Sequence, residues 1–360
     1  MKILDRYIVK TLLFYTLAVM GVWVGIYGLF NFIDEIKFIG QYNYTTLSAI
    51  IYVVADLPAV IYSHSSVIIL LGCLLGMGHL AASSQLIIIR GCGVSIMQIS
   101  KKAVNAALMF IFVVILLGEF AAPLSVQYAE SFKAEAMGQK TAAMSQAGFW
   151  LKDDNTIIHV GKNFDGQVFG DVTLIQLGKT NQLDAIFHAD KALFDGNDLN
   201  FEKTKHYQFD QSDQFTKIQS KDMQKYNAKV SFDQTLIEAL EKAPNELSSW
   251  ELYKHIDFLK DNNLTSGTFE VELYKRLVKP ITLVAMLLLS MLFIFGSLRD
   301  SSLGKKIFLG VIIALFFELS SRIGGAVSLR FEYDPLLSAS VPSLLVLVVA
   351  LFLLKRKSAL

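Results

Sequence analysis

Charge is scarce in this chain. Asp, Glu, Lys and Arg make up 18% of its 360 residues, against roughly a quarter in an ordinary soluble domain. Cysteine is scarcer still: Cys73 and Cys92 are the only two, too few for a disulfide framework. No G-x-x-x-x-G-K-[ST] loop occurs. The nearest fragment, Gly304, Lys305 and Lys306, lacks the upstream glycine spacing and a hydroxyl after the lysine, so the chain is not expected to hydrolyse ATP itself. His64, His79, His159, His188, His206 and His255 fit neither H-E-x-x-H nor Cys/His ligand spacing. No metal, no cofactor and no catalytic residue are therefore expected. A formal net charge of +1 excludes a polyanion-binding character for the chain as a whole. Apolar residues are abundant, at 53% with a mean hydropathy of +0.45, which places most of the chain in lipid.

Crossing a bilayer takes about 20 uncharged residues as a helix, and six such runs can be read between flanking charges. Thr11 to Ile33, Leu57 to Ile89, and Ala103 to about Pro123, interrupted by Glu119, form a first cluster within residues 1–124. Pro280 to Leu298, Ile307 to about Val327, and Pro335 to Leu354 form a second within residues 276–360. Lys and Arg collect in the loops of one side, from Lys2, Arg6 and Lys10 through Arg90, Lys101 and Lys102 to Lys355, Arg356 and Lys357; the opposite short loops hold Lys37 and Arg330. Cytoplasmic loops gather cations, so both termini are expected in the cytoplasm. The first apolar run has the length of a full span and is read as a helix, not as a cleavable signal peptide.

Residues 125–275 then fall outside the cytoplasm. They hold 16 Lys, 23 Asp or Glu, no Arg and no Cys. Ile157 to Val160, Val172 to Leu177 and Ala185 to Phe194 read as short strands, and Asp195, Gly196, Asn197 and Asp198 as the turn into Leu199 to Phe209. Leu199, Phe201, Tyr207 and Phe209 supply apolar residues there, and a sandwich or jelly roll is expected. Near the end the period becomes helical. Ser248 and Glu251 fit a capping box, with Leu252, Ile256 and Leu259 on one face of a return helix at about 246–261.

A charge at the centre of a span costs roughly 2.5 to 3.5 kcal/mol and needs a partner or water. Asp56, Glu119, Glu318 and Arg322 are such residues. Glu318 and Arg322, four apart on one helical face, can neutralise each other. Gly21 with Gly25 and Gly72 with Gly76 have the small-xxx-small spacing of close helix packing. Ser83 to Gly93 is too polar at its ends for a span. It is read as a short amphipathic helix, about 82–93, presenting Leu86, Ile89 and Arg90 to a cytoplasmic partner, against the simpler reading of an interfacial helix.

Four elements then stand in order: Ile3-Leu4-Asp5-Arg6-Tyr7-Ile8 with Lys10 and Thr11; Phe32 to Lys37; Gly118-Glu119 with Ala122 and Pro123; and Phe295-Gly296 with Leu298 and Arg299. Together they resemble the permease family of the lipopolysaccharide export ABC transporter (LptF/LptG), over the whole chain. The resemblance implies a membrane α-helical fold of six transmembrane helices, three plus three, with an inserted periplasmic all-β jelly-roll-like domain at 125–275. It implies a multi-pass inner-membrane subunit that extracts lipopolysaccharide and passes it to a periplasmic bridge for delivery to the outer membrane. Such a subunit is not an enzyme, and a separate cytoplasmic subunit hydrolyses ATP. The partners implied are the sister permease LptF, two copies of the ATPase LptB, the single-span LptC, the periplasmic LptA and lipopolysaccharide itself, with no nucleic acid.

The same resemblance makes the segment at 85–93 a coupling helix, with Gln85, Leu86, Ile89, Arg90 and Gly91 meeting the ATPase; Gln85 stands where the family often carries Glu. Lys37 and Lys133 match basic positions that meet the lipid's phosphates, whereas Asn31 and Phe38 replace lysines seen in some relatives. Moving a many-chained amphiphile out of a bilayer needs apolar walls at membrane depth, and Tyr27, Phe30, Phe316 and Phe317 are expected to supply them. Glu119, Glu318 and Arg322 are read as structural charges. An alternative is a mechanotransmission-type permease acting on a periplasmic partner without carrying lipid. An intramembrane acyltransferase would need a nucleophile or His clustered with an acid, which the sequence does not assemble.

Overall fold

The computed structural model describes residues 2–138, 149–153, 155–163, 168–178, 182–196, 198–212, 215–230, 243–261, 265–295, 303–331 and 333–359. Gly296, Leu298, Arg299 and Asn197 of the expectations above lie outside them. The helices are α1 (Lys2–Ile36), α2 (Thr46–Ala82), α3 (Gln85–Gly91), α4 (Ile96–Leu116), α5 (Ala122–Ala136), α6 (Ser249–Asp261), α7 (Gly267–Ile294), α8 (Leu303–Phe331) and α9 (Pro335–Ala359). A π-helical turn, Leu117–Ala121, joins α4 to α5. Among the described residues six helices are long and apolar enough to cross a membrane: α1, α2, α4 continued by α5, α7, α8 and α9. The chain divides into two compact units, Met1–Lys37 with Val53–Gln127 and Pro244–Leu360, and Phe38–Tyr52 with Tyr128–Ala243.

In the helical unit α2 is the hub. Its apolar window is 78% buried, against 17% for α1 and 11% for α8, so those two turn most of their apolar surface outward. Ile68, Leu70, Leu74 and Met77 of α2 pack with Ile99 and Val114 of α4 and with Leu283 and Met291 of α7. The helices run past their uncharged cores. α7 begins at Gly267, not at Pro280, and so carries Glu272, Lys275, Arg276 and Lys279 on one face. Pro280 lies inside α7, as Pro58 lies inside α2 and Pro342 inside α9. In a bundle, neighbouring hydroxyls and helices satisfy the carbonyls a proline frees, so proline need not end a helix. The run from 57 to 89 is two helices: α2 stops at Ala82, and Ser84, at φ 59°, turns the chain into α3.

α6 starts as its sequence dictates. Glu251 N–H donates to Ser248 Oγ at 3.3 Å, and Ser248 N–H donates to Glu251 Oε2 at 2.8 Å. Leu252 and Ile256 then pack with Leu247 and Leu273 in a small separate core, and Lys260 donates to Glu270 at 2.8 Å. That hydrogen bond holds the Lys260 ammonium above its ordinary pKa. Ser248→Ala is expected to cost about 1 kcal/mol of α6 stability, read as faster amide hydrogen exchange across Ser249–Asp261 with the rest of the unit unchanged.

The other unit holds one antiparallel sheet in sequential order, β1 (Phe149–Asp153), β2 (Thr156–Asn163), β3 (Val168–Leu177), β4 (Leu183–Phe194), β5 (Asp198–Ser212) and β6 (Phe215–Lys229). One row interrupts every ladder from β2 to β6. The pairs that would join Gly161 to Asp171, Asp171 to Asp190, Asp190 to Lys203 and Lys203 to Gln224 are missing. Asp171 and Lys203 sit there at φ 52° and 54°, a left-handed step that breaks the two-residue alternation of a strand. Burial inverts across the row. Ala185, Phe187 and Ala189 are buried on one side of it and Ala192 and Phe194 on the other; Thr204 on one side, Leu199 and Phe201 on the other. Tyr207 and Phe209 are therefore half-exposed and do not continue the face of Leu199 and Phe201. Phe187 stacks on Tyr226 at 4.0 Å and on His206 at 4.4 Å, locking β4, β5 and β6 together.

Candidate functional site

Within the helical unit, α1, α2, α5, α7, α8 and α9 surround a cavity of about 520 Å³. α2 contributes Asp56, Tyr62, Ser63 and His64; α7 contributes Glu272, Lys275, Arg276 and Lys279; α8 contributes Phe317, Glu318 and Arg322. The charges are sorted by hydrogen bonds. Arg276, 6% exposed, donates from Nε to Glu272 Oε1 at 3.1 Å, and its other two nitrogens donate to the carbonyls of Leu247 at 2.5 Å and Pro244 at 3.2 Å. Arg322 donates to Glu318 at 2.9 Å, with its own side chain 71% exposed. Lys279 donates to the Ser63 carbonyl at 3.0 Å and lies 5.2 Å from the Tyr62 ring centre. His64 is held by the Val60 carbonyl at 3.1 Å and packs against Tyr27 at 4.8 Å and Trp23 at 5.7 Å.

Of the residues anticipated as cargo contacts, the cavity unites Tyr27 and Phe317, the latter 9% exposed. Phe30 and Phe316 are instead 66% and 74% exposed, on outward faces of α1 and α8. Lys37 follows the end of α1 and is exposed. Lys133 belongs to the other unit, where its ammonium lies 4.3 Å from the Phe38 ring centre and 4.6 Å from that of Tyr52. The Phe38 and Tyr52 rings thus each present a π-face to the Lys133 ammonium. Sequence reading missed Glu272, Lys275, Arg276 and Lys279, because the fourth span was taken to begin at the proline that follows them. Their i, i+3, i+4, i+7 spacing was the available signal.

Glu119 has a structural partner: its two carboxylate oxygens accept the backbone N–H of Ser249, at 3.1 and 3.2 Å, in the first turn of α6. Gly118 beside it is needed for contact, since a Cβ there would lie 2.1 Å from Cε2 of Tyr62.

For α3, the expected orientation is corrected. Leu86 and Ile89 do not face outward; they are 4% and 9% exposed and join the main core, because three residues apart they share the face that packs on the bundle. Ile87, Ile88, Arg90 and Gly91 are the exposed residues. Gln85 accepts a hydrogen bond from the Tyr7 hydroxyl at 2.8 Å, which ties α3 to α1. Asp5 on α1 is in turn ion-paired with Lys102 of α4.

The chain matches the family described as lipopolysaccharide export system permease LptF/LptG over residues 6–356. It is 27% identical over 360 residues to the lipopolysaccharide export system permease protein LptG of Escherichia coli (strain K12), covering 99% of both chains. To the protein of the same name from Haemophilus influenzae it is 26% identical over 358 residues, covering 98% of each.

Proposed function

Since the chain belongs to the lipopolysaccharide export system permease LptF/LptG family and carries six apolar helices fit for a multi-pass inner-membrane protein, we propose that it extracts lipopolysaccharide from that membrane and passes it to a periplasmic bridge. The termini lie in the cytoplasm on this reading and the β-sheet unit in the periplasm. The sister permease LptF completes the transport cavity, and two copies of the ATPase LptB supply energy. LptC and LptA receive the lipid beyond the membrane. The observation that carries the reading is the outward display of aromatic and aliphatic side chains by α1 and α8, including Phe30 and Phe316. A cavity that takes up acyl chains needs walls of large apolar side chains of this kind.

The ATPase contact falls on the exposed Ile87, Ile88 and Arg90 of α3, and Gln85 acts inward. Force applied to α3 then reaches α1 through Tyr7. The test is photocrosslinking in the assembled transporter, with a photoreactive residue at Phe30 or Phe316 in turn. Capture of lipopolysaccharide at both positions, released on ATP addition, is the expected result. A transmission permease that carries no lipid would give no capture at either.

A further inference from the structure

Building on lipopolysaccharide as cargo, we propose that the α7 cavity is a binding site for a phosphate monoester group carried on the lipid's headgroup, with Lys275 and Lys279 as its cationic ligands. Seven charged side chains line the cavity, Asp56, Glu272, Lys275, Arg276, Lys279, Glu318 and Arg322. Charge at membrane depth is tolerated only where it is paired or wet, so this space of about 520 Å³ is hydrated. Arg276 is paired with Glu272, and Arg322 with Glu318.

The lysines are differently placed. Lys279 spends one donor on the Ser63 carbonyl, and its ammonium has two more. Lys275 makes no hydrogen bond or ion pair among the described residues, and its Nζ lies over Gly325, where a Cβ would come within 3.4 Å of it. Glycine at that point makes room for the ammonium. Two like charges at i and i+4 on one helix repel, and Lys279 feels this from Lys275 beside the stronger pull of the Glu318 and Glu272 carboxylates. A dianion between them converts that repulsion into charge-assisted hydrogen bonds. Both lysines lie inside the span Gly267–Ile294, and Tyr27 and Phe317 share the cavity wall. A headgroup whose acyl chains stay in the bilayer reaches such a place; a free phosphate ion has first to leave water.

The experiment uses the complete transporter in lipid nanodiscs, comparing wild type with Lys275→Gln, Lys279→Gln and the double variant. Photoreactive lipid A carrying both phosphates and its fully dephosphorylated counterpart are the probes, with excess inorganic phosphate as competitor. Wild type is expected to favour the phosphorylated lipid by about tenfold, one charge-assisted contact's worth. The double variant is expected to lose the preference and keep its affinity for the dephosphorylated lipid. Each single variant lowers the preference in part, which keeps the test open should the double variant not assemble. Preference retained in the variants, or equal loss for both lipids, overturns the proposal. Competition by inorganic phosphate that abolishes the preference overturns the lipid as the source. If wild type captures neither lipid, it is the cargo reading that fails, and this site falls with it.

Discussion

Arg276→Ala is expected to destabilise the helical unit by about 3–5 kcal/mol, the range for removing one member of a buried ion pair. Three acceptors lose their donor at once: Glu272, and the carbonyls of Leu247 and Pro244, in the turn that leads into α6. The guanidinium fork is what allows a single side chain to reach all three. Arg276→Lys keeps the charge without the fork, so it is expected to recover part of the loss. Pairing Arg276→Ala with Glu272→Gln should recover another part, by taking away the orphaned carboxylate. Denaturant unfolding of the purified protein in detergent reads each change. A loss under about 1 kcal/mol, the scale of an exposed ion pair, would mean that water substitutes for the arginine and that the cavity does not depend on it.

That arginine also shows where sequence reading reaches its limit. The count of spans and the presence of a β-rich middle were legible, because both follow from long-range averages of hydropathy and from alternation. The capping box at Ser248 and Glu251 was legible too, since its two hydrogen bonds are local. What failed were inferences that used a single residue as punctuation. Pro280 was read as a start and charge as a border, yet α7 passes through both. Strand facing was ambiguous for a different reason. In Val172 to Leu177 apolar residues fall on both parities, and the left-handed steps at Asp171 and Lys203 reverse the buried parity partway along the strands. Neither aspartate nor lysine announces such a step. In α3 the residues Leu86 to Ile89 are all apolar, so only the packing of the bundle decides which pair turns inward. Lys133 was assigned to phosphate by analogy, and its position over Phe38 and Tyr52 depends on residues about ninety positions away in the chain, which no local pattern encodes.

Gly72→Val is expected to separate α1 from α2 and to cost at least the 1–3 kcal/mol typical of overpacking, with less folded protein recovered from the membrane. A Cβ at Gly72 would lie 2.5 Å from Thr16 Oγ1 and 2.6 Å from Thr16 Cα. The second of these is backbone, so no rotamer change relieves it and the helices themselves must move. Gly76, one turn on, meets Leu12 at 3.3 Å, so the pair Gly72 and Gly76 is the seat on which α1 rests. Gly21 and Gly25 have the same spacing in sequence and the opposite surroundings: a Cβ at either meets nothing within 4 Å. Gly25→Val is therefore expected to leave the stability of the isolated chain unchanged. The contrast, read by thermal unfolding of both variants in detergent, separates packing from propensity. If the two variants lose stability equally, the cost arises from the β-branched side chain placed in a helix and not from the contact with Thr16.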